Sequence, residues 1–117
     1  MKRCMAAWTI ESITSDAEKT LDAWAVFKVP FDGPRRPWTR HLAEFVRETG
    51  NGQVSSAVVA LDPVTRRASI QSGRVYHLAG DPGGNADAIY RWGVFKHRHH
   101  LTDECNVTGE VYATFRS

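Results

Sequence analysis

Between residues 72 and 100 the hydrophobic period of the chain changes once, across a corner built from Gly80, Asp81, Pro82, Gly83 and Gly84. Ahead of the corner, residues 67–71 and 74–79 alternate like the arms of a hairpin turning at Ser72-Gly73, where glycine supplies a positive φ. Behind it, Asn85 is placed to cap a helix and Asp87 to complement its dipole. Ala88, Ile89, Trp92 and Phe95 then recur along one helical face. A hairpin, a rigid corner and a capped helix in succession require strands and helices to pack on one another, so the chain belongs among α+β folds.

Trp8, Ile10 and Ser12 alternate with Ala7, Thr9, Glu11 and Ile13, a strand pattern. The order Ser15-Asp16-Ala17-Glu18 has the form of a capping box, compatible with one helical turn or with a polar loop. Residues 23–31 alternate again, Ala25, Phe27, Val29 and Phe31 against Trp24 and Val26, until Pro30 limits pairing. After Pro37, the positions of Trp38, Leu42, Phe45, Val46 and Thr49 predict a helix with Arg40, His41, Glu44, Arg47 and Glu48 on its polar face, ended by Gly50-Asn51-Gly52. Residues 54–61 predict a central strand closed by Asp62-Pro63, and residues 107–115 a last strand through Val111, Ala113 and Phe115. The expected architecture is one α+β domain over residues 1–117. It is a single layer of mostly antiparallel sheet, with five or six strands in the order ββαβββαβ, packed by two helices.

Charge excludes a simple electrostatic function. The net charge of +2 is spread evenly: residues 1–59 hold eight Lys/Arg and seven Asp/Glu, residues 60–117 seven and six. Nucleic-acid binding therefore has to rest on local clusters. The apolar run after Met-Lys-Arg is too short for a signal segment, and none approaches the ~18 residues of a membrane span. Cys4 and Cys105 make no disulfide framework; free thiols in a cytoplasmic protein are the first reading and a single Cys4–Cys105 bridge the second.

Reaction signatures are lacking. Gly80 to Gly84 is neither a dinucleotide fingerprint nor a P-loop; Asp81 repels phosphate and Pro82 removes a donor. His97, His100 and Cys105 are a weak metal alternative, since only His97 and His100 would share a helical face, with His99 turned toward Trp92 and Phe95. Glu44 and Glu48 read as a solvated pair. No catalytic residue and no cofactor are expected.

Two stretches combine cations with aromatics. One runs from Pro34 to His41, with Arg35, Arg36, Trp38, Arg40 and His41 on a segment rigidified by Pro34 and Pro37; the other is Tyr90 and Arg91 with Lys96, His97, Arg98, His99 and His100, to which Arg74 is added as a candidate contact. Arg and Trp favour interface hot spots, and proline-locked loops lose little entropy on binding. The first expectation is therefore a non-catalytic binding protein with a protein partner. A single-stranded nucleic acid, stacking on aromatics over a basic groove, is the alternative, and a small metal-dependent enzyme the second alternative.

Ser-Gly-Arg-x-Tyr-x-Leu-x-Gly-x-Pro-Gly from Ser72, followed by Asp-Ala-x-Tyr-x-Trp from Asp87, resembles a segment of small uncharacterised proteobacterial proteins associated with plasmids and integrative elements. The resemblance implies a bacterial cytosolic accessory protein and supplies no catalytic residues.

Overall fold

Strand β1 (Lys19–Val29) is the longest element and organises the rest. The computed structural model describes residues 10–33, 35–83 and 85–115. One edge of β1 pairs antiparallel with β2 (Thr39–Val46), which in turn pairs with β3 (Asn51–Val54). Its other edge receives three short segments in turn. Lys19 and Thr20 pair with β6 (Val75–His77), Ala23 and Trp24 with β7 (Asp81–Pro82), and Phe27 and Lys28 with β8 (Cys105–Asn106). Beyond β6 lie β5 (Arg67–Ile70) and β4 (Val58–Asp62), giving the path β3-β2-β1-β6-β5-β4. Two helices complete the fold, α1 (Ala86–Arg98) and α2 (Thr108–Phe115).

The α+β class and the mostly antiparallel sheet are as the sequence predicts; the order of elements is not. Residues 39–46 form a strand instead of a helix. The strand is buried on both faces, so its hydrophobic pattern carries no clean alternation. Leu42 and Val46 enter the main core with Trp24 and Val26, while Ala43 lies under α1 with Ala25, Phe27, Val29 and Trp92. A register shift between Leu21 and Ala23 brings Leu21 into the same core as Trp24, as a bulge does when it resets which side chains share a face.

Residues 107–115 also differ from expectation. The Asn106 side chain accepts from Thr108 N at 3.0 Å, and Val107, Val111 and Phe115 recur every fourth residue, which is helical spacing. Val111 is buried, with Tyr112 and Phe115 packed tilted against Trp24. The expected strand over 54–61 divides into β3 and β4. At the N-terminal end, Trp8 and its neighbours lie outside the described residues; Ile10 makes one bridge to Leu61, and Ser15 to Glu18 form a polar loop, not a helical turn.

The hairpin, corner and capped helix occur where the sequence puts them. Gly73 turns β5 into β6 with φ of 93°. Asn85 accepts from Asp87 N and Ala88 N, capping α1. Gly80 is required for close approach: its N–H donates to Leu21 O at 2.9 Å, and a Cβ at this position would sit 1.7 Å from Asp22 O. The corner is thereby clamped onto β1, which aims α1 across β2 and β3. Gly52 completes the clamp by donating to Asp87 Oδ2 at 2.6 Å.

Candidate functional site

Two consecutive turns carry the first cation–aromatic stretch. Gly33 N donates to Pro30 O and Arg36 N to Gly33 O, each at 3.2 Å, with Gly33 at φ 107°. These turns raise Phe31 against the end of α1. Its ring stacks on Phe95 at 5.7 Å and 17°, and meets His99 at 4.8 Å. Phe95 stacks on Trp92 at 5.3 Å and 15°, and Trp92 on Phe27 at 4.7 Å and 11°. A nearly parallel ladder of four rings therefore runs from the interior outward and ends at Phe31, which is 39% exposed.

The ladder joins the two stretches that the sequence holds far apart. Three adjoining depressions follow it. The central one, about 300 Å³, is lined by Phe31, Asp32, Thr39, His41, Gln71 and Phe95 among others. On one side it shares Asp32, Thr39, Ala57 and Gln71 with a second of about 300 Å³ that contains Arg36, Trp38 and Arg40. On the other it shares Val54 and Phe95 with a third of about 250 Å³ that contains Arg91 and Arg98. The result is a trough with an aromatic wall and arginines at both ends.

The floor is polar and internally satisfied. His41 is 3% exposed. Its Nδ1 lies 3.0 Å from Ser55 O and must carry the proton it donates there, so Nε2 accepts from Thr39 Oγ1 at 2.7 Å. Burial pulls the His41 imidazole below its ordinary range; the Ser55 hydrogen bond and then Asp32 oppose it in part, and the nearby His99 adds a smaller downward pull. Ser55 Oγ accepts from Leu42 N and donates to Ser56 O.

Several expected contacts are distributed otherwise. Trp92 is the core anchor its helical face predicts, 3% exposed, with its indole N–H donating to Glu104. Lys96 is paired with the same carboxylate. Ile89, expected on the buried face, is 43% exposed. Arg35 is exposed on the turn, Trp38 is half-buried against the main core, and His97 and Arg98 are exposed on the last turn of α1. Arg74 lies 3.8 Å from Glu18, and neither it nor the exposed Tyr90 lines the trough. The helix ends at Arg98, so His100, at φ 55°, shares no helical face with His97. Cys105 is buried in the main core and disulfide-bonded, which corrects the free-thiol reading and removes it as a thiolate ligand; Cys4 lies outside the described residues. Among the described residues no three His, Cys, Asp or Glu side chains are grouped to hold a metal. No helix there is long and apolar enough to cross a membrane.

Sequence reasoning misses Phe31, Gln71 and Glu44, and it puts His41 on a polar surface where the structure buries it. Phe31 was open to discovery as an aromatic inside turn chemistry; the others depend on residues 39–46 being a strand. Glu44 is the sharpest reversal. Expected on a solvated face, it is fully buried in the main core. Gln53 Nε2 donates to its Oε1 at 3.3 Å, while Oε2 has no partner. Burial pushes its carboxyl up to about 8.

Comparison with family models, curated proteins and solved structures finds no match. The geometry of the trough is what a functional reading has to stand on.

Proposed function

We propose that this is a non-catalytic binding protein that works through the trough and takes an acidic protein segment. The observation that carries this reading is the meeting of Arg36 with Arg91 and Arg98 at opposite ends of one aromatic-walled depression. Cations at the rim steer and orient an acidic partner, while a rigid apolar wall supplies affinity. Arg35 adds an exposed cation on the same turn, and His97 and His100 add exposed imidazoles at the helix end. The likeness of the 72–92 stretch to small proteobacterial plasmid-borne proteins adds a bacterial origin and an accessory role to the proposal.

The disulfide at Cys105 bears on compartment. Buried disulfides persist where the environment is oxidising, so the reading favours a setting outside the reducing cytosol over the cytoplasmic one implied by cysteine count. It also weakens the nucleic-acid alternative, whose partner belongs to the cytosol. The test is fluorescence anisotropy with a labelled peptide of Glu and Asp residues. Binding that weakens with salt and is lost in the triple change Arg35→Glu, Arg36→Glu, Arg91→Glu supports the proposal. No binding at low salt, or binding of oligothymidylate in its place, overturns it.

A further inference from the structure

The central depression differs in chemistry from the two ends of the trough. It contains no arginine; it is bounded by the last ring of the Phe27–Trp92–Phe95–Phe31 ladder, by the Asp32 carboxylate and by the Gln71 amide. Each neighbouring depression carries two arginines. Asp32 and Gln71 are shared with the Arg36 depression, but there arginines offset the carboxylate. An acid of the partner placed at the centre would face Asp32 with no arginine lining the same depression, so the centre selects against the charge that the ends attract. The ring wall favours a planar group, since aromatic pairs gain beyond their buried area by offset stacking. The depression has the volume for one large side chain but not for a length of folded chain.

From this arrangement we infer that the occupant of the centre is an aromatic ring bearing a hydrogen-bond donor, the chemistry of a tyrosine, with acidic residues flanking it. The ring extends the ladder at its outer end, Phe31. Its hydroxyl donates to Asp32 or pairs with Gln71, the two exposed polar side chains at the junction with the Arg36–Trp38 depression. The flanking acids reach Arg36 on one side and Arg91 and Arg98 on the other. Asp32 thereby acts as a selectivity element: it repels acid at the centre and rewards a donor there. This inference rests on the proposed acidic-segment reading and specifies its anchor.

The experiment compares three labelled peptides, Glu-Glu-Asp-Tyr-Asp-Glu-Glu and the same sequence with Phe or Ala at the centre, on the full chain and on its Asp32→Asn variant. The tyrosine peptide is expected to bind about tenfold more tightly than the alanine one and roughly threefold more tightly than the phenylalanine one. Asp32→Asn should narrow the tyrosine-over-phenylalanine preference while strengthening all three, because a repulsive charge is lost. Asp32 is exposed on a turn, so a thermal melt matching the parent confirms an intact fold. Three peptides binding within twofold of one another overturn the aromatic anchor and leave the acidic-segment reading standing. An unchanged tyrosine preference in Asp32→Asn overturns the role given to Asp32. Absence of binding by all three overturns both readings together.

Discussion

Replacing Glu44 by Gln should stabilise the protein, and by an amount that grows with pH. The carboxyl is fully buried, one oxygen has no partner, and burial holds it protonated to about pH 8 against an ordinary value of 4.5. In the unfolded chain the group ionises near 4.5; in the folded chain it stays neutral until about 8. The unfolded state therefore binds fewer protons across that window, and stability falls as pH rises through it, levelling off above the folded value. At about 1.4 kcal/mol per unit, the loss reaches ~3 kcal/mol at pH 7 and approaches ~5 kcal/mol at pH 9. Gln has the shape of the neutral acid and can still accept from Gln53, but it does not titrate. Urea unfolding of parent and Glu44→Gln at pH 5, 7 and 9 isolates the effect. The stability difference should widen by ~4 kcal/mol from pH 5 to pH 9, more than a molar in midpoint at ordinary urea slopes. Parallel pH profiles for the two proteins would refute the assignment of a buried neutral acid.

Other expectations follow from single contacts. Gly80→Ala should destabilise severely, well beyond the ~1 kcal/mol of a simple glycine effect, because its Cβ meets the Asp22 carbonyl; thermal melts with Gly73→Ala as the milder control measure it. Trp92→Ala should lose about 3–5 kcal/mol in chemical denaturation, the range for a buried aromatic, since the ring is stacked on both Phe27 and Phe95. Alkylation of the denatured but unreduced protein should leave Cys105 unmodified, and mass mapping of an alkylated Cys105 would contradict its disulfide.

What could be read from the sequence was whatever local chemistry decides. The Gly73 turn, the Gly80 corner, the Asn85 cap and the Trp92 anchor each depend on residues within a few positions of one another, and each occurs as expected. The strand over 39–46 did not, because its two faces are covered by different partners, the sheet core and α1, and neither is visible locally. The same cause hid the burial of Glu44 and His41. At residues 107–115, Val111 and Phe115 satisfy both the strand and the helix pattern, and only the Asn106 cap separates them. The two cation–aromatic stretches were legible as residues, but their union was not. It depends on Phe31 reaching Phe95 and His99, a tertiary contact between a turn and a helix end.

That union is tested most directly by an amide and indole chemical-shift titration of the isotopically labelled protein with the tyrosine peptide. The account predicts one contiguous set of shifts: Phe31, Asp32 and the Trp38 indole, together with Gln71, Arg91 and Phe95, all saturating at the same peptide concentration. Shifts confined to one of the two stretches, or centred on Arg74 and Tyr90, would contradict it.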